Sequence, residues 1–175
     1  SHHRSFLFEP LLFDYTQLDI TKKGDVKSLA SSFQPDVIVN TAGATNVDWC
    51  ETHREEAWKA NVVGVENLIE AARKVRAKLV HVSTDYVFDG KHGPYKEDDA
   101  PNPISYYGKT KLAGENAIRI AGIPYSIVRT IVLYGNTLGT RKNFALWVLE
   151  NLQANQKIRC AVDQIGNPTF VGDLA

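Results

Sequence analysis

Residues 78–90 read Lys-Leu-Val-His-Val-Ser-Thr-Asp-Tyr-Val-Phe-Asp-Gly, an apolar run that ends in hydroxyl-bearing and acidic residues. The apolar part, residues 78–83, predicts a buried strand. The β-branched run at residues 36–40, which lies between a proline and a glycine, predicts a second buried strand. If the two strands are parallel, Thr84 lies at the carboxyl edge of the sheet, where open α/β folds bind ligands.

Strand and helix patterns alternate outward from this stretch. Apolar residues recur at helical spacing in residues 51–74, and a helix over residues 105–121 is ended by Gly122. Between these segments, residues 89–103 predict a long polar loop. The remaining elements are the end of a short helix at residues 28–33, a weak strand at 11–13, a strand at 125–129, a helix at 143–153 and a strand at 157–162. Such alternation predicts a doubly wound α/β fold, with a parallel sheet covered on both faces.

Composition limits the classes of protein that this chain fits. It has 175 residues, of which 43% are hydrophobic, and 20 Lys plus Arg balance 20 Asp plus Glu. A net charge of zero gives no electrostatic reason to expect nucleic acid or a membrane as partner. No apolar run approaches the roughly 20 residues that span a bilayer, and two cysteines without a Cys/His cluster predict neither a disulfide framework nor zinc. We expect a cytoplasmic globular protein.

The ends of the sequence have no terminal character. The chain contains no methionine, begins at Ser1 and stops at Ala175. We therefore expect an internal piece of a longer chain.

Tyr107 and Lys111 form the most chemically suggestive pair in the sequence. At a spacing of four residues, two side chains share one face of a helix. A neighbouring ammonium lowers the pKa of a tyrosine from its usual value near 10 toward a working range. This spacing arises easily by chance, and the hydroxyl of Thr84 could simply satisfy backbone groups at the strand end. Together, however, the three residues suggest a site that donates hydrogen bonds to a substrate carbonyl.

The segments around this trio resemble a known family. Residues 83–90 and residues 107–115, Tyr-Gly-Lys-Thr-Lys-Leu-Ala-Gly-Glu, are similar to the dTDP-4-dehydrorhamnose reductases, which are extended short-chain dehydrogenases/reductases. The similarity runs through essentially the whole chain. It includes residues 35–48, which resemble the family's strand and turn along the cofactor, and residues 129–135, which resemble the segment near the nicotinamide.

The resemblance implies a reductase mechanism. NADPH or NADH would deliver hydride to C4 of a dTDP-linked 4-keto-6-deoxysugar, and Tyr107 would protonate the developing alkoxide. Lys111 would hold the nicotinamide ribose and lower the Tyr107 pKa, while Thr84 would hydrogen-bond the same oxygen.

The resemblance also implies which residues surround the two ligands. The implied cofactor contacts are Arg4, Asp19, Ile20, Asn40, Thr41, Ala42, Gly43, Asn61, Val82, Ser83, Tyr107 and Lys111. The implied substrate contacts are Thr45, Val47, Thr84, Asp85, Tyr86, Val87, Phe88, Tyr107, Val132, Asn143 and Gln164. Arg4 would favour NADPH through its 2′-phosphate, although residues 1–4 could equally be a tag remnant. No metal is expected.

Two departures from the family pattern affect the predicted organisation. The glycine-rich phosphate turn that opens the family fold is missing, so one βαβ unit and most of the smaller substrate lobe are expected to be absent. We expect residues 1–155 to form an N-terminally incomplete Rossmann-like domain and residues 156–175 to begin the substrate-binding lobe.

Two other functions fit the same motifs. One is a sugar-nucleotide epimerase; a dehydratase fits less well, because Thr84 is followed by Asp85-Tyr86 and not by two acidic residues. The other is the regulatory subunit of methionine adenosyltransferase, a binding protein that shares similar segments but has a serine at the position of Thr84. The family resemblance is also compatible with a homodimer.

Overall fold

The computed structural model of the protein describes residues 16–135 and 143–175. The predicted strand at residues 11–13 and the predicted phosphate contact Arg4 lie outside these ranges. No helix in the described part of the chain is long and apolar enough to cross a membrane.

Three parallel strands form the central sheet, in the order β1-β2-β3. They are β1 Val37–Asn40, β2 Lys78–Thr84 and β3 Tyr125–Thr130. The register pairs Asn40 with His81 and Thr84 with Thr130, so the carboxyl ends of the strands meet at one edge. The predicted α/β class with a parallel sheet is confirmed.

Helices precede and separate the strands of this sheet along the chain. They are α1 Lys23–Phe33, α2 Val47–Thr52, α3 Arg54–Trp58, the π-helical turn Lys59–Val63, α4 Gly64–Val75 and α5 Tyr106–Arg119. A 3₁₀ turn, Asp85–Val87, follows β2. A second region contains β4 Leu133–Tyr134, α6 Phe144–Gln153, β5 Thr169–Phe170 and α7 Val171–Leu174, with β4 and β5 paired in parallel.

One hydrophobic core joins α1, α4 and α5 to the sheet. Its fully buried members include Val65 of α4, Leu79 of β2 and Ile118 of α5. On the other side of β1, Val37 and Val39 stay 49% and 62% exposed. Among the described residues, therefore, the predicted cover on both faces of the sheet does not extend over this strand.

Two element predictions were wrong. The single helix predicted over residues 51–74 is interrupted, because His53 leaves helical geometry at φ −120° and ψ 57° and a π-helical turn precedes α4. The strand predicted over residues 157–162 is absent, and this segment has no regular structure. Cys160 and Val162 are exposed there, so its β-branched sequence lacks the neighbouring strand that would stabilise it.

Candidate active site

The turn after β1 is fixed by two buried asparagines. Asn40, at the end of β1, accepts a hydrogen bond from the Ala42 amide at 3.0 Å. Asn61, in the π-helical turn, accepts from the Ala44 amide at 2.8 Å and donates to the Ala44 carbonyl at 3.0 Å. A Cβ at Gly43 would lie 2.7 Å from Asn61 Oδ1, so the close approach of this turn requires glycine. The predicted cofactor segment is therefore a tightly held turn.

Asn61 also connects this turn to helix α5. Its Nδ2 donates to Thr110 Oγ1 at 2.9 Å, and Thr110 in turn donates to the Tyr107 carbonyl at 2.8 Å. Asn61 and Thr110 are both fully buried. The predicted cofactor residue Asn61 and the helix that carries Tyr107 are thus one hydrogen-bonded unit.

Thr84 stands where β2 ends and the 3₁₀ turn begins. Its hydroxyl accepts from the Tyr86 amide at 3.2 Å and donates to Asp85 at 3.2 Å. This is the local capping role that strand-end hydroxyl groups commonly play. The ring of Tyr86 meets that of Tyr107 edge to face, with centroids 5.6 Å apart. Thr84 and Tyr107, two members of the predicted trio with Lys111, therefore lie close together in a small buried region.

Helix α5 begins at a defined point next to this turn. Ser105 caps it by accepting from the Gly108 amide at 3.1 Å, and the Glu51 carboxylate accepts from the Tyr106 amide at 2.6 Å. A side chain at position 108 would clash with the Tyr86 carbonyl, so glycine lets the helix press against the 3₁₀ turn. Tyr107 is placed against Thr84 by this close packing.

The environment of Tyr107 differs from the sequence-based expectation. Burial raises the pKa of Tyr107, against the opposing effect of its hydrogen bond with Thr84, and the nearby Asp85 raises it further. This direction is opposite to the lowering predicted from Lys111, whose amino group contacts strand β2. It donates to the Val82 carbonyl at 2.8 Å and lies 3.4 Å from His81 Nε2.

Lys111 and His81 form a buried pair beneath the carboxyl edge of the sheet. Burial lowers the pKa of Lys111 to about 8, although Glu115 raises it. Burial and the Lys111 charge lower the pKa of His81 to about 4, so His81 is neutral near physiological pH. His81 was not among the predicted site residues. The sequence could have identified His81, because it is a titratable side chain at an inward-facing position of an otherwise apolar strand.

Glu115 is a second buried charged group that the sequence analysis did not single out. It accepts from Ser83 at 2.6 Å, from Arg129 at 2.7 and 3.0 Å, and from Arg119 at 3.1 Å. Burial by itself would raise the pKa of Glu115, but the hydrogen bonds from Arg129 and Ser83 outweigh it and lower the pKa. This carboxylate joins α5 to β2 and β3 directly behind the site.

The predicted loop over residues 89–103 is well organised. Asp89 accepts from Tyr95 at 2.5 Å and from Asn102 at 3.0 Å, and the hydrogen bond from Tyr95 is the main reason that the pKa of Asp89 is lowered. The Phe88 ring stacks on Tyr95 at 4.3 Å and lies under the Arg129 guanidinium at 5.0 Å. The loop is therefore fastened beside the end of β2.

Six other predicted residues lie in three places. Val47 packs against the small cluster that contains Tyr107, close to the trio. Asp19 and Ile20 lie before α1, where Asp19 accepts from Thr21 and the Ile20 carbonyl accepts from Asn67. Val132 and Gln164 are exposed in the second region, and Asn143 caps α6 while donating to the Gly135 carbonyl at 2.6 Å. These last three are not joined to the trio by a hydrogen bond among the described residues.

The fold and the site together define a class. A tyrosine beside a hydroxyl at the carboxyl end of a parallel strand, with a lysine one helical turn further along the same helix, is typical of the extended short-chain dehydrogenases/reductases.

Comparisons with known proteins specify the family. The chain belongs to the RmlD substrate binding domain family, whose profile matches residues 7–175. It is 41% identical to a dTDP-4-dehydrorhamnose reductase of Aggregatibacter actinomycetemcomitans, over 96% of this chain and 56% of that relative. It is also 38% identical to methionine adenosyltransferase 2 subunit beta of Xenopus tropicalis, over 93% of this chain and 48% of that relative. The predicted resemblance is confirmed.

A solved structure supports the same fold. The chain superimposes with a TM-score of 0.85 and 39% identity on a dTDP-4-dehydrorhamnose reductase from Bacillus anthracis in complex with NADP. The match covers 93% of this chain and 57% of that one. The chain thus spans about half the length of the reductases that it matches.

Proposed function

We propose that this chain forms the catalytic part of an NADPH-dependent reductase of a dTDP-linked 4-keto-6-deoxysugar, with NADH as an alternative cofactor. The observation that carries this proposal is the placement of Thr84, Tyr107 and Lys111 at one edge of the sheet, in a chain of this family. The two ligands would be met by the predicted cofactor and substrate residues given above.

The residues present fit a nicotinamide cofactor. Lys111 Nζ has one well-formed acceptor among the described residues, the Val82 carbonyl, so two of its three donors are available to ribose hydroxyl groups. In the turn at residues 40–44, Gly43 has no side chain, so the backbone of the turn could approach a cofactor closely. The cofactor supplies the hydride when bound.

The chain's own residues would handle the proton and the developing charge. The Tyr107 hydroxyl, kept protonated because burial raises its pKa, would donate its proton to the sugar oxygen at C4. The Thr84 hydroxyl would donate a hydrogen bond to the same oxygen. The Lys111 ammonium, drawn toward the ribose, would stabilise the phenolate that Tyr107 leaves behind.

The test is NADPH oxidation with enzymatically generated dTDP-4-dehydro-L-rhamnose, measured on the full-length protein and on Tyr107→Phe. The variant should lose more than about a hundredfold in turnover while its NADPH affinity stays nearly unchanged. Tyr125→Phe is the control, because Tyr125 is exposed at the start of β3 and should retain full activity. A fully active Tyr107→Phe enzyme would refute the assignment of Tyr107 as the acid.

A regulatory role is the second candidate, supported by the 38% identity to methionine adenosyltransferase 2 subunit beta. Under this alternative the same fold would bind a synthetase and would not turn over the sugar. Co-purification with methionine adenosyltransferase, together with NADPH binding but no oxidation, would favour this candidate over the reductase.

Three further points belong to the proposal. Residues 1–155 would be the cofactor-binding domain and residues 156–175 the beginning of the substrate lobe. The reductase would act as a homodimer in the cytoplasm. The family membership supports these points, and size-exclusion chromatography with light scattering would test the dimer.

A further inference from the structure

The buried row Asn40–His81–Lys111 runs beneath the proposed cofactor site. Asn40 Nδ2 lies 3.0 Å from His81 Nδ1, and His81 Nε2 lies 3.4 Å from Lys111 Nζ. The three residues are 3%, 0% and 5% exposed, so solvent cannot replace these partners. The orientation of each residue in the row therefore constrains that of the next.

The backbone amide of Ala42 determines the orientation of the Asn40 side-chain amide. A backbone N–H can only donate, so the Asn40 atom that lies 3.0 Å from it is the carbonyl oxygen. The amide nitrogen of Asn40 consequently faces His81 and donates to Nδ1. Turning the Asn40 amide over would place its Nδ2 donor against the Ala42 N–H donor.

The direction of Asn40 in turn fixes the tautomer of His81. A neutral imidazole has one donor and one acceptor nitrogen. Because Nδ1 accepts from Asn40, the proton lies on Nε2, which faces Lys111. An ammonium has no acceptor capacity, so the contact between His81 and a charged Lys111 is one between two donors.

We propose that His81 is a positioning residue for Lys111: its Nε2–H denies the ammonium an internal acceptor and so keeps two ammonium donors free for the cofactor ribose. This inference deepens the proposed function and rests on it for the identity of the ligand. The Val82 carbonyl holds the amine in place, while Asn40 couples the state of His81 to the turn that would contact the cofactor.

The other titratable groups near the row have partners of their own and do not disturb the contact between His81 and Lys111. Glu115, one turn after Lys111 on α5, is occupied by Ser83, Arg129 and Arg119. Tyr107, one turn before it, turns toward Thr84 and Tyr86. The low pKa of His81, about 4, agrees with an imidazole that stays neutral next to Lys111.

The first test reads the tautomer directly. Two-bond couplings between ring nitrogens and ring protons in ¹⁵N-labelled full-length protein should show His81 with the proton on Nε2 at neutral pH. Asn40→Asp keeps the acceptor for the Ala42 amide but cannot donate to Nδ1, so it should move the proton to Nδ1. The proposal would be overturned if wild-type His81 were an imidazolium or carried its proton on Nδ1. It would also be overturned if Asn40→Asp left the tautomer of His81 unchanged.

The second test measures NADPH affinity. His81→Gln can turn a carbonyl oxygen toward Lys111 and satisfy the ammonium internally, so the NADPH Kd should rise about fivefold. His53→Gln is the matched control, because His53 is an exposed histidine on the α2–α3 corner, and its Kd should equal that of the wild type. An unchanged Kd in His81→Gln would overturn the role of His81 at the cofactor.

The two tests separate this inference from the proposed function. Failure of the wild type to bind NADPH would refute the reductase proposal and, with it, the cofactor role of His81. The tautomer measurement would still decide whether Asn40 orients His81 toward Lys111. A correct tautomer with a changed Kd but no sugar reduction would instead count against the reductase alone.

Discussion

Helices α5 and α6 show how differently two parts of this chain are held. Helix α5 buries seven residues, among them Tyr107, Lys111 and Glu115, although its composition is mixed. Helix α6 is more apolar in sequence but buries none of its residues, and Phe144 and Leu152 are 57% and 58% exposed. The polar contacts of α5 with β2, β3 and the turn after β1, more than the hydrophobicity of a segment, distinguish the buried part of the site.

The largest expected effect comes from breaking the buried ion pair behind α5. Glu115→Gln removes the charge that faces Arg129, which is itself mostly buried, and should lower the free energy of unfolding by about 4 kcal/mol. Denaturant unfolding measures this loss. A loss below about 1 kcal/mol would show that the pair does not fix α5.

The pH dependence of stability tests the same ion pair between Glu115 and Arg129. The pKa of Glu115 is lowered in the folded protein, so its contribution is present above its ordinary value of 4.5. It is lost as the pH falls through the lower folded pKa. The stability difference between the wild type and Glu115→Gln should therefore shrink under acidic conditions, as unfolding curves at several pH values would show. A stability difference that does not change with pH would contradict the conclusion that the ionised Glu115 carboxylate stabilises the folded protein.

The next effect contrasts two leucines. Leu79 is fully buried in β2, and Leu79→Ala should cost about 3 kcal/mol of unfolding free energy. Leu149 in α6 is 50% exposed, and Leu149→Ala should change stability by less than about 0.5 kcal/mol. Equal losses in parallel unfolding experiments would mean that α6 is covered as well as the sheet.

The smallest effect contrasts two helical glycines. Gly108→Ala drives a methyl group against the Tyr86 backbone and should cost about 2 kcal/mol, while also displacing Tyr107. Gly24 in α1 has open space around it, so Gly24→Ala should stabilise the protein by about 0.5 kcal/mol. Thermal unfolding of both variants gives the comparison, and tolerance of alanine at position 108 would refute the close packing of α5 on the 3₁₀ turn.

Sequence periodicity predicted the sheet well where neighbouring strands cooperate. The strands at residues 36–40, 78–83 and 125–129 and the helix at residues 105–121 agree with β1, β2, β3 and α5 to within a few residues. The segment 157–162 has similar β propensity but no partner strand among the described residues, and it stays irregular. Local pattern therefore predicted a strand correctly only where tertiary pairing was also available.

The candidate site shows the same division. The motif residues Thr84, Tyr107 and Lys111 were recognisable from spacing and resemblance, but the direction of the Lys111 side chain was not. It depends on the Val82 carbonyl and on His81, which lie on another element some thirty positions away. Lys111 was expected to lower the Tyr107 pKa, whereas burial raises it in this structure.

The sequence by itself determined the α/β class and the order of the central elements, because these follow from local periodicity. It also pointed to the hydroxyl, phenol and amine of the proposed chemistry, through spacing and resemblance. The tertiary structure decided which polar groups are buried together. Asn40 orients His81, Glu115 connects α5 to Arg129 of β3, and Asn61 connects the turn after β1 to α5, each through hydrogen bonds between different elements. Burial and hydrogen-bond direction set the charge states of the site, and both arise only when the chain is folded.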